Sequence, residues 1–388
     1  MHSGCNVLVS WNSRDIMEKI KNLVVGCGFS GATIARKVAE ELDEDVLVID
    51  ARDHLAGNSY DYRDAHGIMI HRYGSHIFHT SLEDVWSWVS RFSAFNTYMH
   101  KVVALIDGIQ TTIPFNLRTL SDVFPPGMAA RLEEKLLAHF EYNKRIPISE
   151  FRQQDDADLA FLADYVYEKV FRHYTAKQWG TSPDADGMGA VTARVPVHIS
   201  CDERYFQDKY QGIPLQGYTE LVRRMLDHPR IRVQLNTPFE RAQVEYERLF
   251  YTGSIDEFFG YRYGVLPYRS VRFALEEHHA PFYQSNAVVN YPCNYDFTRI
   301  HEYKYYLADT SEHTVIAKEY SEPFELGKNG RFYPIPSPDA ARLYERYAQA
   351  AAELPHVHFL GRLGSYRYLD IDKAIHAALQ YFEQHFSR

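Results

Sequence analysis

The chain has 388 residues, 45% of them hydrophobic, and a formal net charge of −9. A chain of this length can bury a large core and predicts two or three domains. The negative net charge and the lack of a long run of Lys or Arg argue against nucleic acid as a partner. The sequence contains no apolar stretch long enough to predict a membrane span.

Four cysteines, Cys5, Cys27, Cys201 and Cys293, are scattered along the chain without C-x-x-C pairs. This usage predicts a reducing, cytoplasmic location, with neither a disulfide framework nor a zinc knot built on cysteines. Residues 1–16 show no clear pattern and are interpreted either as a flexible arm or as an artefact of the chosen start site.

A strand–helix–strand pattern occupies residues 21–50. An apolar run at 23–25 leads into the sequence GCGFSG at 26–31, a helical pattern over 32–42 and a second apolar run at 46–49 that ends at Asp50. In this context the glycines predict a dinucleotide site: Gly26 permits a tight turn, Gly28 lets the backbone approach a pyrophosphate, and Gly31 lets helix and strand pack closely. The helix N-terminus favours phosphate, and Asp50 is placed to accept hydrogen bonds from a ribose.

The segment 71–80 contains three histidines, His71, His76 and His79, after a glycine-containing loop at 52–58. Their spacing on a predicted loop, without a motif such as H-E-x-x-H, argues against a metal site. We interpret them as structural histidines or as histidines that line a cofactor, and we expect the loop at 52–58 to contact the same cofactor.

The remaining elements follow in chain order. The patterns predict a helix over 82–92, a hairpin over 102–113 around Asp107-Gly108, and a mostly helical region over 117–176. After Trp179 a glycine-rich run over 180–190 predicts a mobile loop. Further along, the patterns predict a helix over 217–226, strands at 231–235, 249–253, 271–273, 287–291, 299–305, 314–320 and 356–360, and a last helix over 371–385.

These elements predict an α/β fold in which a discontinuous, Rossmann-like FAD-binding domain carries an inserted small helical bundle and an antiparallel β-sheet domain. The predicted limits are 17–98, 215–262 and 355–388 for the FAD-binding domain, 117–180 for the bundle, and 99–116, 181–214 and 263–354 for the sheet domain. The late strand followed by Gly361-Arg362 favours FAD over NAD, because FAD spans both ends of such a sheet and a late element can reach its flavin end.

The motifs resemble those of bacterial UDP-galactopyranose mutases, in the family's order and over nearly everything after Met17. The pieces that carry the resemblance are GCGFSG at 26–31, HRYGSHIFHT at 71–80, YTAKQWG at 174–180, RVPV at 194–197, YF at 205–206, YQGIP at 210–214, TRI at 298–300, FYP at 332–334 and GRLGSYRYLD at 361–370. The resemblance implies a flavoenzyme that interconverts UDP-galactopyranose and UDP-galactofuranose. Its FAD is active when reduced, with N5 acting as the nucleophile at the anomeric carbon and no net redox change. It also implies a homodimer, and no metal is predicted.

Site residues are carried over by matching position. Arg194 and Arg299 resemble the clamp on the diphosphate and, with His79, are the predicted catalytic residues. The other predicted substrate contacts are Phe171, Tyr174, Thr175, Trp179, Asn290, His100, Tyr205, Tyr333 and Tyr368. The predicted cofactor contacts are Gly26, Gly28, Phe29, Ser30, Gly31, Asp50, Arg52, Gly57, Asn58, His76, Ile77, His79, Arg362, Tyr368, Leu369 and Asp370.

The sequence departs from the family pattern at four places. His100 replaces a substrate-contacting Asn, Ala56 the first Gly of a Gly-Gly-Asn loop, His198 a frequent Arg, and Asp296-Phe297 a common Pro-Tyr. The change at His100 leaves a modified nucleotide hexose open as the substrate. A redox FAD oxidase of the amine-oxidase type and an FAD-binding protein without catalysis also stay open, although neither explains the arginines.

Overall fold

The structure, a computed structural model, describes residues 18–242 and 244–386; the interpretation of residues 1–16 lies outside that range. In chain order, the strands are β1 (Glu18–Val25), β2 (Val46–Ile49), β3 (Asp61–Arg63), β4 (Met69–His71), β5 (Phe78–Thr80), β6 (Val102–Ile106), β7 (Ile109–Ile113), β8 (Arg145–Ile146), β9 (Val197–His198), β10 (Tyr210–Gly212), β11 (Ile231–Gln234), β12 (Val244–Tyr251), β13 (Tyr268–His278), β14 (Val288–Asn290), β15 (Arg299–Glu302), β16 (Thr314–Pro323), β17 (Tyr333–Pro334) and β18 (Val357–Phe359).

The helices are α1 (Phe29–Glu41), α2 (Glu83–Ser90), α3 (Leu117–Val123), α4 (Pro126–His139), α5 (Ile148–Phe151), α6 (Ala157–Val166), α7 (His173–Trp179), α8 (Gly189–Thr192), α9 (Tyr218–Leu226), α10 (Ile255–Phe258), α11 (Lys304–Leu307), α12 (Pro338–Ala352), α13 (Gly361–Gly364) and α14 (Ile371–Phe386). A π-helical turn, Tyr167–Arg172, joins α6 to α7. Within the described ranges, no helix combines the length and the apolar character that crossing a membrane requires.

The first sheet is parallel and has the strand order β11-β2-β1-β12-β18. Its central strands are buried on both faces, which is typical of parallel sheets covered by helices. Val24 and Phe250 pack into the core beneath α1, α9 and α14, whereas their chain neighbours Leu23 and Leu249 belong to the core on the opposite face. The sheet therefore joins strands from the beginning, middle and end of the chain.

The second sheet has seven strands in the order β17-β13-β16-β15-β14-β6-β7. It is antiparallel, as predicted, apart from the parallel pair β14–β6. These two strands lie far apart in the chain, so that no tight hairpin forces them to run in opposite directions.

Helices α3 to α7 and the π-helical turn form the helical insert. Their shared core includes Leu132, Phe151, Leu159 and Phe171, and it continues onto Val102 of the adjoining sheet. The predicted fold class, a Rossmann-like domain with a helical insert and a largely antiparallel sheet, is confirmed. The exact domain limits stay predictions.

Several predicted limits differ from the structure, and two of the differences have a clear cause. The strand predicted over 299–305 ends at Glu302, where Lys304 turns inward and its Nζ donates to the carbonyls of Pro281 (2.8 Å) and His313 (3.1 Å). The predicted loop at 71–80 contains the last residue of β4 and the whole of β5, which forms because it pairs with the distant β10. Both differences depend on residues remote in sequence.

Candidate active site

A cavity of about 950 Å³ lies where the carboxyl ends of β1, β2 and β12 face the seven-stranded sheet and α7. Val25, Asp50 and Tyr251, at or just beyond the ends of these three parallel strands, all line it. Ligands of open α/β sheets bind at this edge, outside the carboxyl ends of the strands.

The glycine loop forms one wall of the cavity. Gly26 has φ +106°, a conformation that side chains disfavour, and a Cβ there would lie 2.0 Å from Thr252 Oγ1. A Cβ on Gly31 would lie 2.0 Å from the carbonyl oxygen of Gly26. Gly31 thus lets helix α1 pack closely against the glycine loop on the side away from the cavity. It is the one predicted site residue that does not line the cavity.

Asp50 and Arg52 form a polar edge beside this loop. Asp50 Oδ2 accepts the backbone N–H of Cys27 (2.8 Å) and its Oδ1 that of Arg52 (2.9 Å). Arg52 Nη2 donates to Asn58 Oδ1 (2.9 Å), while Arg52 Nη1 is shielded from solvent without a partner among the described residues. These groups fit a dinucleotide, because the glycine loop suits its pyrophosphate and the carboxylate at the strand end suits a ribose. The unpaired Arg52 Nη1 is a further donor for it.

Arg299 lies on the sheet side of the cavity and is held by Glu319 on the neighbouring strand. Its Nε lies 3.0 Å from Glu319 Oε1, and Glu319 also accepts from Thr298 Oγ1 (2.8 Å). Burial opposes ionisation of Glu319, but Arg299 and His301 outweigh it and lower the pKa of this carboxyl to about 2. Burial likewise acts to lower the pKa of Arg299, and Glu319 reverses that effect and raises it. The pair is therefore ionised at any physiological pH.

A chain of hydrogen bonds continues behind Glu319. His301 Nε2 lies 3.0 Å from Glu319 Oε2, and His301 Nδ1 lies 2.6 Å from Ser75 Oγ. Tyr306 donates in turn to Ser75. Burial lowers the pKa of His301, so its imidazole is neutral and donates from Nε2 to the carboxylate. These contacts hold Glu319, and through it Arg299, in one orientation.

Arg194 follows α8 at the end of the glycine-rich run and is paired with Asp370. Its Nη2 donates to Asp370 Oδ1 (2.9 Å) and Oδ2 (2.8 Å), and its guanidinium carbon lies 4.1 Å from the centre of the Tyr368 ring. The side chain of Arg194 is 43% exposed. Tyr368 stacks on Tyr333 at 5.4 Å, and Trp179 lies 5.9 Å from Tyr333. An arginine, an acid and an aromatic wall therefore meet here.

His79 and His100 share a third wall with Phe206. The His79 ring stacks on Phe206 at 3.6 Å, and its Nδ1 lies 2.8 Å from Asp208 Oδ2. His100 packs on the same ring at 5.9 Å, and its Nδ1 lies 3.1 Å from the hydroxyl of Tyr98. Burial lowers the pKa of His100 to about 3, so its imidazole is neutral.

Apart from Gly31, every residue predicted to contact cofactor or substrate lines this single cavity. Among the departures from the family pattern, His100 and Ala56 line it, whereas His198 and residues 296–297 do not. Ala56 keeps a left-handed conformation, with φ +67°, at the position of a family glycine. Such a conformation costs a residue with a side chain about 1–2 kcal/mol.

The sequence assigned no site role to Glu319, His301, Asp208 or Phe206, although Phe206 belongs to the family motif YF at 205–206. One signal could have pointed to Glu319, because alternation along the strand pattern 314–320 puts this charged residue on the same face as Val315 and Ala317. No local signal marks His301 or Asp208. They act through partners more than 100 residues away or across a strand pairing that no turn specifies.

The comparisons with known proteins agree with this geometry. Residues 169–368 match the profile of the UDP-galactopyranose mutase family, and residues 24–92 match that of an NAD(P)-binding Rossmann-like domain. A crystal structure of reduced UDP-galactopyranose mutase superposes with a TM-score of 0.68 at 17% identity, over 94% of this chain and 93% of that chain. At that identity the superposition shows the fold alone.

Two relatives are similar over almost their whole length. One, from Klebsiella pneumoniae, is described as a probable UDP-galactopyranose mutase; it is 37% identical over 95% of this chain and 94% of its own length. The other, from Escherichia coli, is described as a dTDP-fucopyranose mutase; it is 36% identical over 93% of this chain and 97% of its own length. With this similarity and a profile match over half its length, the chain belongs to the UDP-galactopyranose mutase family of isomerases.

Proposed function

We propose that this chain interconverts UDP-galactopyranose and UDP-galactofuranose with the help of reduced FAD. The observation that carries the proposal is that Arg194 and Arg299 line the same cavity as the dinucleotide cradle. Two arginines beside a set of tyrosines suit the two phosphates of a nucleotide sugar, because each guanidinium donates parallel, charge-assisted hydrogen bonds. An amine substrate carries no phosphate and would need neither arginine.

We assign the cofactor to the edge formed by the glycine loop, Asp50, Arg52 and Asn58, with its ring system toward Arg362 and residues 368–370. When bound and reduced, FAD supplies a nucleophilic nitrogen, N5, at the anomeric carbon of the sugar, so that no net redox change results. The protein itself then has to bind, orient and shield the reactants.

Arg299 is the fixed half of the proposed diphosphate clamp. Glu319 and the hydrogen bonds behind it hold the guanidinium in place before any ligand binds, so little conformational entropy is lost on binding. Its guanidinium carbon also lies 5.7 Å from the centre of the Tyr174 ring. We propose that Tyr174 and Phe171, two of the predicted substrate contacts, bind the uracil.

Arg194 is the movable half of the clamp. It is more exposed than Arg299, and it follows a glycine-rich run that predicts a mobile loop. We propose that Arg194 leaves Asp370 and binds the diphosphate when the loop closes. The closed loop then places the positive guanidinium beside the departing UDP and excludes water from the cavity. His79, fixed by Asp208 and Phe206, is proposed to border the reacting sugar and the cofactor.

A modified nucleotide hexose is the second candidate substrate, with the same ring contraction. The observation that favours it is His100, which places a buried, neutral imidazole in the cavity where family members usually have an Asn. The relative described as a dTDP-fucopyranose mutase indicates that sequences this similar differ in their sugar.

The test is a chromatographic assay of the purified, yellow protein with UDP-galactofuranose, plain or N-acetylated, and with dTDP-fucofuranose, each with and without dithionite. We expect conversion to the pyranose form only after reduction. Equal activity with oxidised flavin, or stoichiometric consumption of oxygen, would contradict the proposed chemistry. The preferred sugar in the same assay decides between the two substrates. The cytoplasmic location and the homodimer stay predictions.

A further inference from the structure

A cluster of histidines around one glutamate lies outside the cavity just described. It joins His66, in the turn between β3 and β4, to Glu277 near the end of β13 and His313 just before β16. One ligand atom from each of these three side chains lies within 4.8 Å of the other two. None of the three residues lines the cavity.

The sheet register explains why the side chains meet. Strands β13 and β16 are antiparallel, with Glu277 opposite Val315 and His278 opposite Thr314. Continuing this register puts His279 opposite His313. Because side chains alternate between faces along a strand, Glu277, His279 and His313 share one face and His278 lies on the other.

The ligand atoms converge on one carboxylate oxygen. Glu277 Oε1 lies 2.9 Å from His66 Nε2 and 3.1 Å from His313 Nδ1, and the two imidazole rings stack at 4.0 Å. Zinc bound by histidine nitrogen and carboxylate oxygen has bonds of about 2.0–2.2 Å, which puts neighbouring ligand atoms about 3.3 Å apart. Both distances from Glu277 Oε1 are slightly shorter than this spacing, and binding an ion requires the stacked imidazoles to turn until both lone pairs point at it.

His313 Nδ1 has the environment of a metal ligand. It is shielded from solvent and makes no hydrogen bond to any described residue, although Glu277 Oε1 is only 3.1 Å away. The other nitrogen of the ring, Nε2, lies 3.2 Å from His279 Nδ1. When Nε2–H donates to His279, the lone pair of Nδ1 is free. A hydrogen bond of this kind on the second nitrogen commonly fixes the tautomer of a metal-bound histidine.

The turn that carries His66 is held in place independently of the cluster. Asp64 Oδ1 accepts the backbone N–H of His66 (2.9 Å) and of Ile68 (2.8 Å). Asp309 anchors both sides of the turn, through Arg63 Nη1 (3.0 Å) and the backbone N–H of Met69 (3.1 Å). The three ligands are thus presented by segments that are already ordered.

We propose that His66, Glu277 and His313 bind one Zn²⁺ ion, or a similar first-row divalent cation, with water completing the coordination. The side chains of His66 and Glu277 are 30% and 52% exposed, so water can reach the ion from their side. Two imidazoles and one carboxylate suit zinc better than magnesium or calcium, which prefer oxygen ligands. The bound ion fastens the β3–β4 turn to the end of the seven-stranded sheet.

The test is calorimetric titration of the tag-free holoenzyme with ZnCl₂, after treatment with EDTA and desalting. We expect one equivalent of Zn²⁺ per chain, and a loss of affinity of about tenfold or more in His66→Asn and in Glu277→Gln. His278→Asn is the matched control, since its side chain lies on the opposite face of the same strand, and it should bind Zn²⁺ as the unaltered chain does. Melting in EDTA verifies that each variant is folded.

Three results would overturn the proposal: no Zn²⁺ uptake by the unaltered chain, unchanged affinity in both His66→Asn and Glu277→Gln, or an equal loss in His278→Asn. Binding should also raise the melting temperature of the unaltered chain and not that of His66→Asn, because an ion that binds only the folded state stabilises it. Mutase activity plays no part in these measurements.

Discussion

Arg299 and Glu319 occupy directly opposed positions on antiparallel strands β15 and β16, and Arg299 Nε lies 3.0 Å from Glu319 Oε1. The carboxylate is 3% exposed. A charge so deeply buried is tolerated only when it is paired and hydrogen-bonded. The same contact therefore contributes to two properties, the stability of the sheet and the orientation of the arginine that we assign to the diphosphate.

Glu319→Ala should destabilise the protein strongly. Removing one partner of a buried ion pair leaves the other charge uncompensated, which costs about 3–5 kcal/mol. Urea unfolding measures the change. Glu276→Ala is the matched control, because Glu276 also pairs with a residue of β16, Lys318, at 2.7 Å but on the surface. We expect it to change the free energy of unfolding by less than about 1 kcal/mol, and equal effects of the two substitutions would contradict the interpretation.

Gly31→Ala should lower both stability and flavin content. The added Cβ would meet a backbone oxygen at 2.0 Å, and relieving that overlap shifts the loop that forms the cradle, at a cost of about 1–3 kcal/mol. Thermal unfolding and the flavin absorbance of the purified protein measure the two effects. Gly127→Ala in α4 is the control, since its Cβ would meet nothing within 4 Å. If Gly31→Ala retained full flavin content, the tight helix–loop packing would not matter for the site.

Arg194→Lys should leave the fold intact and weaken the binding of nucleotide sugar. The side chain is 43% exposed, so stability changes little, but an ammonium cannot donate two parallel hydrogen bonds as a guanidinium does. We expect KM to rise about tenfold, which corresponds to about 1.4 kcal/mol. Steady-state kinetics under dithionite measure it.

Arg152→Lys is the matched control for that substitution. Arg152 also bonds an aspartate, Asp184 at 3.0 Å, and lies 3.9 Å from the centre of an aromatic ring, that of Tyr167. It does not line the cavity. A comparable rise in KM for Arg152→Lys, or an unchanged KM for Arg194→Lys, would show that Arg194 is misassigned.

Stability should fall as the pH drops below about 6.5, the usual pKa of histidine. Burial lowers the pKa of His71 and His100 to about 3. Between these values the unfolded chain binds protons that the folded chain excludes, so each histidine removes up to about 1.4 kcal/mol per pH unit on acidification. Urea unfolding of the unaltered chain and of His100→Asn, at several pH values from 7.5 downward, measures the slope. The variant should show the shallower slope, and identical slopes would contradict the buried neutral state of His100.

Local sequence patterns predicted much of the fold and one wall of the site. The glycine loop at 26–31, the apolar runs around it and Asp50 predicted the nucleotide-binding wall, because turns and strand periodicity depend on neighbouring residues. The resemblance to the mutase family predicted the arginines and tyrosines, and the structure gathers them in one cavity.

Other features were decided only by the tertiary structure. One is the parallel pairing of β6 with β14, and another is the end of β15 at Glu302. The contacts of Glu319, Asp208 and His66 likewise depend on residues that are distant in the chain. No periodic pattern encodes such pairings, since they depend on which strands lie side by side and in which register. The sequence alone therefore determined the type of fold and the chemical groups of the site. Packing between remote segments decided which side chains are hydrogen-bonded or ion-paired to one another.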